Sequence, residues 1–180
     1  REVAQRMAER LAYVKLKPSR ILDLGCGTGA DLNLLGERYP AAQRIGCDFA
    51  VSMLHEATRR GAWFKRLLPM LTGSRPQFIT ADAAHLPLKS ACVSLLWSNL
   101  MLPWANDAPA IMKEMKRVLE IDGLLMFTTL GPDTLRELRT AFVSADAKPH
   151  VHRFFDMHDI GDILVAAGFV EPVMEMETIT

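Results

Sequence analysis

At 180 residues with 49% apolar side chains, the chain is long enough for one globular domain that needs no disulfide or metal staple. Lysine plus arginine equals aspartate plus glutamate at 21 each, so no net field draws in nucleic acid or an anionic membrane. Cys26, Cys47 and Cys92 are odd in number and sit in apolar, strand-like contexts; they read as buried thiols of a reducing, cytoplasmic compartment, and no apolar run reaches membrane-spanning length.

In chain order, Val3, Met7, Leu11 and Val14 recur at helical spacing and predict an amphipathic helix that Pro18 ends. Arg20 to Leu24 reads as a strand, followed by glycines and a helix from about Ala30 to Arg38 that ends before Pro40. Arg44 to Cys47 is a second strand, closed by Asp48, and Ser52 to Arg60 a helix ended by Gly61. Residues Ala62 to Arg75 read equally as a loop or a short helix. Gln77 to Thr80 is a third strand, and Cys92 to Trp97 a fourth, apolar but for Ser94, as is typical of a strand buried on both faces. A helix over Asp107 to Leu119, a strand over Gly123 to Thr129, helices over Thr134 to Ala145 and His158 to Ala167, and a last strand over Phe169 to Met176 complete the chain. Strands alternating with helices predict an α/β fold: a Rossmann-like, doubly wound, mostly parallel sheet in a three-layer α/β/α arrangement. The chain opens inside a helical pattern and stops inside a strand pattern. It is therefore expected to be one domain, residues 1–180, trimmed at both ends from a longer protein.

Ligands of such sheets bind at the C-terminal ends of the strands, so the residues following the strands carry the information. The central motif is Ile21-Leu22-Asp23-Leu24-Gly25-Cys26-Gly27-Thr28-Gly29. Glycines permit a sharp turn and close approach of a ligand, and the helix behind them offers free amide donors to a carboxylate or phosphate. Asp23, inside the strand, is placed to capture a ligand ammonium. Asp48 is placed to accept both hydroxyls of a ribose, and Asp82 an adenine amino group, with the Ala83 amide donating to the ring. Gly25, Gly27 and Ala30 also satisfy the looser dinucleotide pattern, which is weak by itself. Two features weigh against it: Asp23 in the strand and the lack of a large substrate domain.

The glycine motif, with Gly46-Cys47-Asp48 and Ala81-Asp82-Ala83-Ala84-His85-Leu86-Pro87, resembles the class I methyltransferase superfamily over nearly the whole chain. The resemblance implies S-adenosyl-L-methionine as cofactor, with its methionine part on the glycine loop, its ribose on the acid after the second strand and its adenine at the Asp after the third. It nominates Asp23, Gly25, Cys26, Gly27, Gly29, Asp48, Phe49, Asp82, Ala83 and Ser98 as cofactor-binding residues, with His85 and Leu86 completing the adenine pocket. The segments Trp97 to Asp107 and Leu130 to Arg139, with His150 and Phe154, are similar to the malonyl-carrier-protein O-methyltransferases of biotin synthesis. That similarity implies a malonyl-loaded acyl-carrier protein as partner and a methyl ester as product. The same segments are similar to a respiratory complex I assembly factor of this fold, and a small acid or quinone-like acceptor is a further alternative. Both relatives have a further N-terminal segment and a last strand that this chain does not include.

Candidate catalytic residues are Asn99, as a support for a substrate oxygen, Trp104, as channel wall or rim packing, and His150, as a substrate contact or a solvated cap. Arg136 and Arg139 read as a solvated helix face or as partners of a substrate carboxylate or carrier phosphate. His150, His152, His158, Asp156 and Asp159 match no common zinc spacing, so no metal is expected. The segment after the fourth strand lacks the Asn-Pro-Pro-aromatic run of base-methylating enzymes, so no nucleic-acid substrate is expected. A malonyl carboxylate is already anionic at neutral pH, so no general base is required.

Overall fold

A computed structural model describes residues 1–67, 75–143 and 150–179. It contains α1 (Glu2–Arg10), a 3-10 turn (Leu11–Tyr13), β1 (Arg20–Leu24), α2 (Ala30–Arg38), β2 (Gln43–Asp48), α3 (Val51–Leu67) and β3 (Gln77–Thr80). After these come β4 (Val93–Asn99), a second 3-10 turn (Leu102–Trp104), α4 (Ala108–Val118), β5 (Leu119–Thr128), α5 (Arg136–Val143) and α6 (Met157–Ala166). All strand pairs are parallel and the order is β3-β2-β1-β4-β5. The order reverses between β1 and β4, and the crevice at their C-terminal ends is where such a sheet receives a ligand.

The pleat sorts side chains onto two cores. On one face, Ile21 of β1 and Leu95 and Trp97 of β4 pack with Ala4, Met7 and Leu11 of the N-terminal helical segment and Leu35 of α2. On the other, Leu22, Leu24 and Leu96 pack with Ile111, Met112 and Met115 of α4 and Ile160 and Leu164 of α6. Six consecutive residues of β4, Val93 to Ser98, are buried, which accounts for its largely apolar sequence. Among the described residues no helix is long and apolar enough to cross a membrane.

The loop after β3 is held from α4. Glu114 accepts from the Leu86 amide at 2.7 Å, and Arg117 donates to the Leu86 carbonyl at 3.1 Å while pairing with Glu114 at 2.7 Å. Arg117 thereby lowers the Glu114 pKa and fixes the segment that carries Asp82 to Leu86.

Three expectations are corrected. Gly61 does not end its helix, because α3 runs on to Leu67. One helical glycine costs only about 1 kcal/mol relative to alanine, and the Glu56 pairs with Arg59 and Arg60 support the preceding turn. The rest of the ambiguous stretch, 68–74, lies outside the described residues, as does the end of the helix expected over Thr134 to Ala145. Val14 is not on the first helix; the regular helix stops at Arg10, and Val14 is extended and exposed. Phe169 to Met176 forms no strand. The segment lies against α1 and α6 instead. Arg10 bonds Glu175 and Glu177, Arg6 bonds Glu177 at 2.9 Å, and the Met174 side chain fills the space beside Gly161. A β-patterned segment becomes a strand only where another strand completes its ladder.

Candidate functional site

Three loops meet at the crevice. Gly25 to Gly29 leave β1, Asp48 to Ala50 leave β2, and Leu100 to Trp104 leave β4. Gly25 has φ +77°, and a Cβ there would come within 2.4 Å of the Met101 side chain, so only glycine lets the turn pass under the β4 loop. The Gly25 and Cys26 amides donate to the Cys47 carbonyl at 2.8 and 3.0 Å, which pins the turn to the end of β2. Gly27 faces open space: a Cβ there would meet nothing within 4 Å. Leu100 has φ +55°, a left-handed conformation costly for leucine, held because its amide donates to Thr128 of β5.

Asp23 is 1% exposed, and its Oδ2 has no hydrogen-bond partner. Burial, with the Asp31 and Asp48 carboxylates nearby, holds its carboxyl well above the usual range. Such an acid is costly to ionise alone and is stabilised by a cation brought to it. Asp48 is arranged differently. Its carboxylate accepts from the Gly27 and Ala50 amides, each at 2.8 Å, so it braces the glycine turn while each oxygen keeps capacity for a second donor. Cys26 and Cys47 are both buried; burial first, then nearby carboxylates, pushes the Cys47 thiol up to about 12 and Cys26 higher, so neither is a nucleophile at neutral pH.

The other residues nominated for the cofactor are spread over the same edge. Asp82 and Ala83 follow β3; the Asp82 carboxylate accepts from the Ala84 amide at 2.9 Å, and His85 is largely exposed beside it. Phe49 is 79% exposed. A large apolar ring so open at the strand ends is a surface on which a planar ligand can lie. Ser98 is buried and donates to the Leu24 carbonyl at 2.9 Å, so its hydroxyl proton is committed to tying β4 to β1.

Among the acceptor-side candidates, Trp104 is 84% exposed at the same edge. Asn99 is engaged at both ends of its amide, donating to Asp31 at 3.2 Å and accepting from the Thr128 hydroxyl at 2.7 Å. His150 stacks on Phe142 of α5 with ring centroids 4.2 Å apart. Arg139 donates to the Pro132 and Thr134 carbonyls, so it closes the loop before α5, whereas Arg136 is exposed. Asp156 and Asp159 form the capping box of α6. Asp31 was not anticipated from sequence; it gathers bonds from Trp97 and Asn99, 66 and 68 positions away.

Because Asp48 both braces the turn and faces the crevice, Asp48→Ala is expected to weaken binding of a ribose-bearing ligand by about tenfold or more. It should also lower the melting temperature of the ligand-free protein, since two amides lose their acceptor. Calorimetric titration and a thermal melt check the two effects separately, and an unchanged dissociation constant would place the ribose elsewhere.

Residues 22–127 match a family model described as a methyltransferase domain. The chain is 52% identical over 180 residues to the malonyl-[acyl-carrier protein] O-methyltransferase of Gallionella capsiferriformans, covering 100% of this chain and 61% of that protein. It is 40% identical over 180 residues to the protein of the same name from Legionella pneumophila, covering 100% of this chain and 60% of that protein. The chain thus spans about 60% of the length of the curated relatives it matches. Among solved structures, a phosphoethanolamine N-methyltransferase of Haemonchus contortus in complex with S-adenosyl-L-methionine aligns with a TM-score of 0.72 at 18% identity, over 93% of this chain and 36% of that one. The [4+2]-cyclase SpnF aligns with a TM-score of 0.69 at 24% identity, over 93% and 57%. These similarities establish a shared fold, and the cyclase among them shows that the fold alone does not fix a reaction.

Proposed function

Since the chain belongs to the methyltransferase-domain family, we propose that it transfers a methyl group from S-adenosylmethionine to the free carboxylate of a malonyl group, carried on acyl-carrier protein or coenzyme A. The product is a methyl ester, formed at an early step of biotin synthesis. One observation carries the cofactor half of this reading: the buried, unpartnered Asp23 carboxylate behind a glycine turn with open space before it. That donor set fits a ligand with an ammonium and a carboxylate on one carbon. Similarity to the malonyl-carrier-protein enzymes supports the acceptor half.

In this reading Asp23 receives the ammonium, and the amides at the N-terminus of α2, which no side chain caps, receive the carboxylate. Asp48 accepts from the ribose, Asp82 and Ala83 meet the adenine edge, and Phe49 covers its face. When bound, the cofactor supplies an electrophilic methyl group on a positively charged sulfur. The chain's own contribution is alignment and exclusion of water. Trp104 forms a wall of the acceptor channel, while the Asn99–Thr128 bond holds the ends of β4 and β5 in place. Alignment is the larger effect, because an oriented pair of reactants needs no diffusive encounter. A dry site adds to it, because the transfer turns an anion and a sulfonium into two neutral products. No side chain has to remove a proton, because the acceptor is already a carboxylate.

The test is methyl transfer to purified malonyl-acyl-carrier protein, followed by mass spectrometry of the loaded carrier. The rate is expected to stay nearly flat from about pH 6 to 9, above the carboxyl pKa. A steep rise through that window, abolished by replacing His150 or His85, would instead mark a hydroxyl or phenol acceptor. Active cofactor binding with no transfer to the malonyl carrier would move the assignment to another acid.

A further inference from the structure

Asp23 of β1 lies in register with Trp97 of β4, and the pleat puts Trp97 and Asn99 on the same side of their strand. Above them stands the first turn of α2, carrying Asp31. The Trp97 indole donates to Asp31 Oδ2 at 2.9 Å and the Asn99 amide donates to the same oxygen at 3.2 Å. Asn99 Oδ1 accepts from the Thr128 hydroxyl at 2.7 Å, whose oxygen accepts from the Leu100 amide at 3.1 Å. Two donors on one oxygen fix the Asp31 side chain and leave its other oxygen with no partner among the described residues. Asp23 Oδ2, on the same face of the sheet as Trp97, has none either. Among the described residues no lysine, arginine or histidine pairs with either acid. A held pair of acids with open oxygens and no resident counter-ion is a receptor for a cation arriving with a ligand.

On the cofactor reading above, we propose that Asp31 is a specificity-determining residue. With Asp23 it forms a two-carboxylate receptor for the ammonium at the amino-acid end of the cofactor, and Trp97 and Asn99 hold its side chain in place. The pair selects ligands with an intact amino acid over truncated nucleoside thioethers.

The test is calorimetric titration of the intact protein with S-adenosylhomocysteine and with 5′-deoxy-5′-methylthioadenosine, which keeps the adenosine thioether but lacks the amino acid. Asp31→Asn retains an acceptor oxygen for Trp97 and Asn99 and removes only the charge. Affinity for S-adenosylhomocysteine is expected to fall about tenfold, while that for methylthioadenosine stays within about twofold. Asp31→Ser, a shorter acceptor, carries the same expectation if the first variant does not fold. Equal weakening of both ligands would overturn the proposal and make Asp31 a purely structural hub. Undiminished affinity for S-adenosylhomocysteine would overturn it as well. A parent protein that binds neither ligand would remove the cofactor reading itself, an outcome recognisable before any variant is made.

Discussion

Gly25→Ala should abolish measurable cofactor binding and lower the stability of the protein by about 2–5 kcal/mol. Two costs combine. A left-handed backbone at φ +77° disfavours any side chain by about 1–2 kcal/mol. The new methyl would also fall 2.4 and 2.5 Å from Met101 Cγ and Cβ, too close to the root of that side chain for a terminal rotation to relieve. Relief requires moving either the glycine turn or the Leu100 to Trp104 segment, and both line the crevice. Urea denaturation measures the first loss and calorimetric titration the second. Met101→Ala in the same chain should restore part of the stability, because it removes Cγ, the nearer of the two atoms that are struck, and leaves Cβ. A Gly25→Ala protein of parental stability and affinity would show that the turn does not pass closely under the segment after β4.

Asp23→Asn should separate stability from binding. An acid whose folded pKa lies above its ordinary value of 3.8 makes the folded state less favourable as pH rises above that value. The cost grows until the folded pKa is passed and then stays constant. The amide cannot ionise, so the ligand-free variant is expected to melt no lower than the parent at pH 7, and to lose the part of the parent's pH dependence that begins above about pH 4. The same change removes the negative charge that would meet an ammonium. Affinity for S-adenosylhomocysteine should fall by roughly 10- to 100-fold, as expected for a charge-assisted bond of about 1.5–3 kcal/mol. A series of melts with and without ligand at several pH values reads both effects. A variant that melts lower without ligand, and is stabilised by ligand as much as the parent, would assign Asp23 a structural role only.

These residues differ in how visible they are before any coordinates. The Gly25 to Gly29 turn is encoded locally: positive φ at consecutive alternate positions calls for glycine, and the strand and helix on either side are written in apolar periodicity. Asp23 and Asp48 are legible because each ends or closes a strand. Asp31 is not, because its significance comes from Trp97 and Asn99, which the sheet brings to it from the far side of two crossovers. Ser98, nominated for the ligand, is buried and spends its proton on the Leu24 carbonyl, a bond no local pattern announces. The segment from Phe169 misled for a related reason. Alternation of Val, Met and Glu describes a strand's faces but not whether a neighbouring strand is there to pair with it. At Gly61 the error was energetic, since one glycine is a weak stop when the residues on both sides favour helix.

The strand order has a consequence for how the molecule comes to be folded. β1 sits between β2, its neighbour in the chain, and β4, which begins at Val93. A growing polypeptide can therefore zip β1 to β2, and β2 to β3, early, but the other edge of β1, which pairs through Ile21, Leu22 and Asp23, stays open until β4 has been made. Closing a loop of some seventy residues is slow compared with hairpin pairing, and an unpaired apolar edge invites pairing with another nascent chain in the interval. Synthesis proceeds at about 5–20 residues per second, so this exposed intermediate lasts for seconds on the ribosome. Slowing translation before β4 has left the ribosome should lengthen that interval and increase aggregation, whereas a pause after both β4 and β5 have emerged should not.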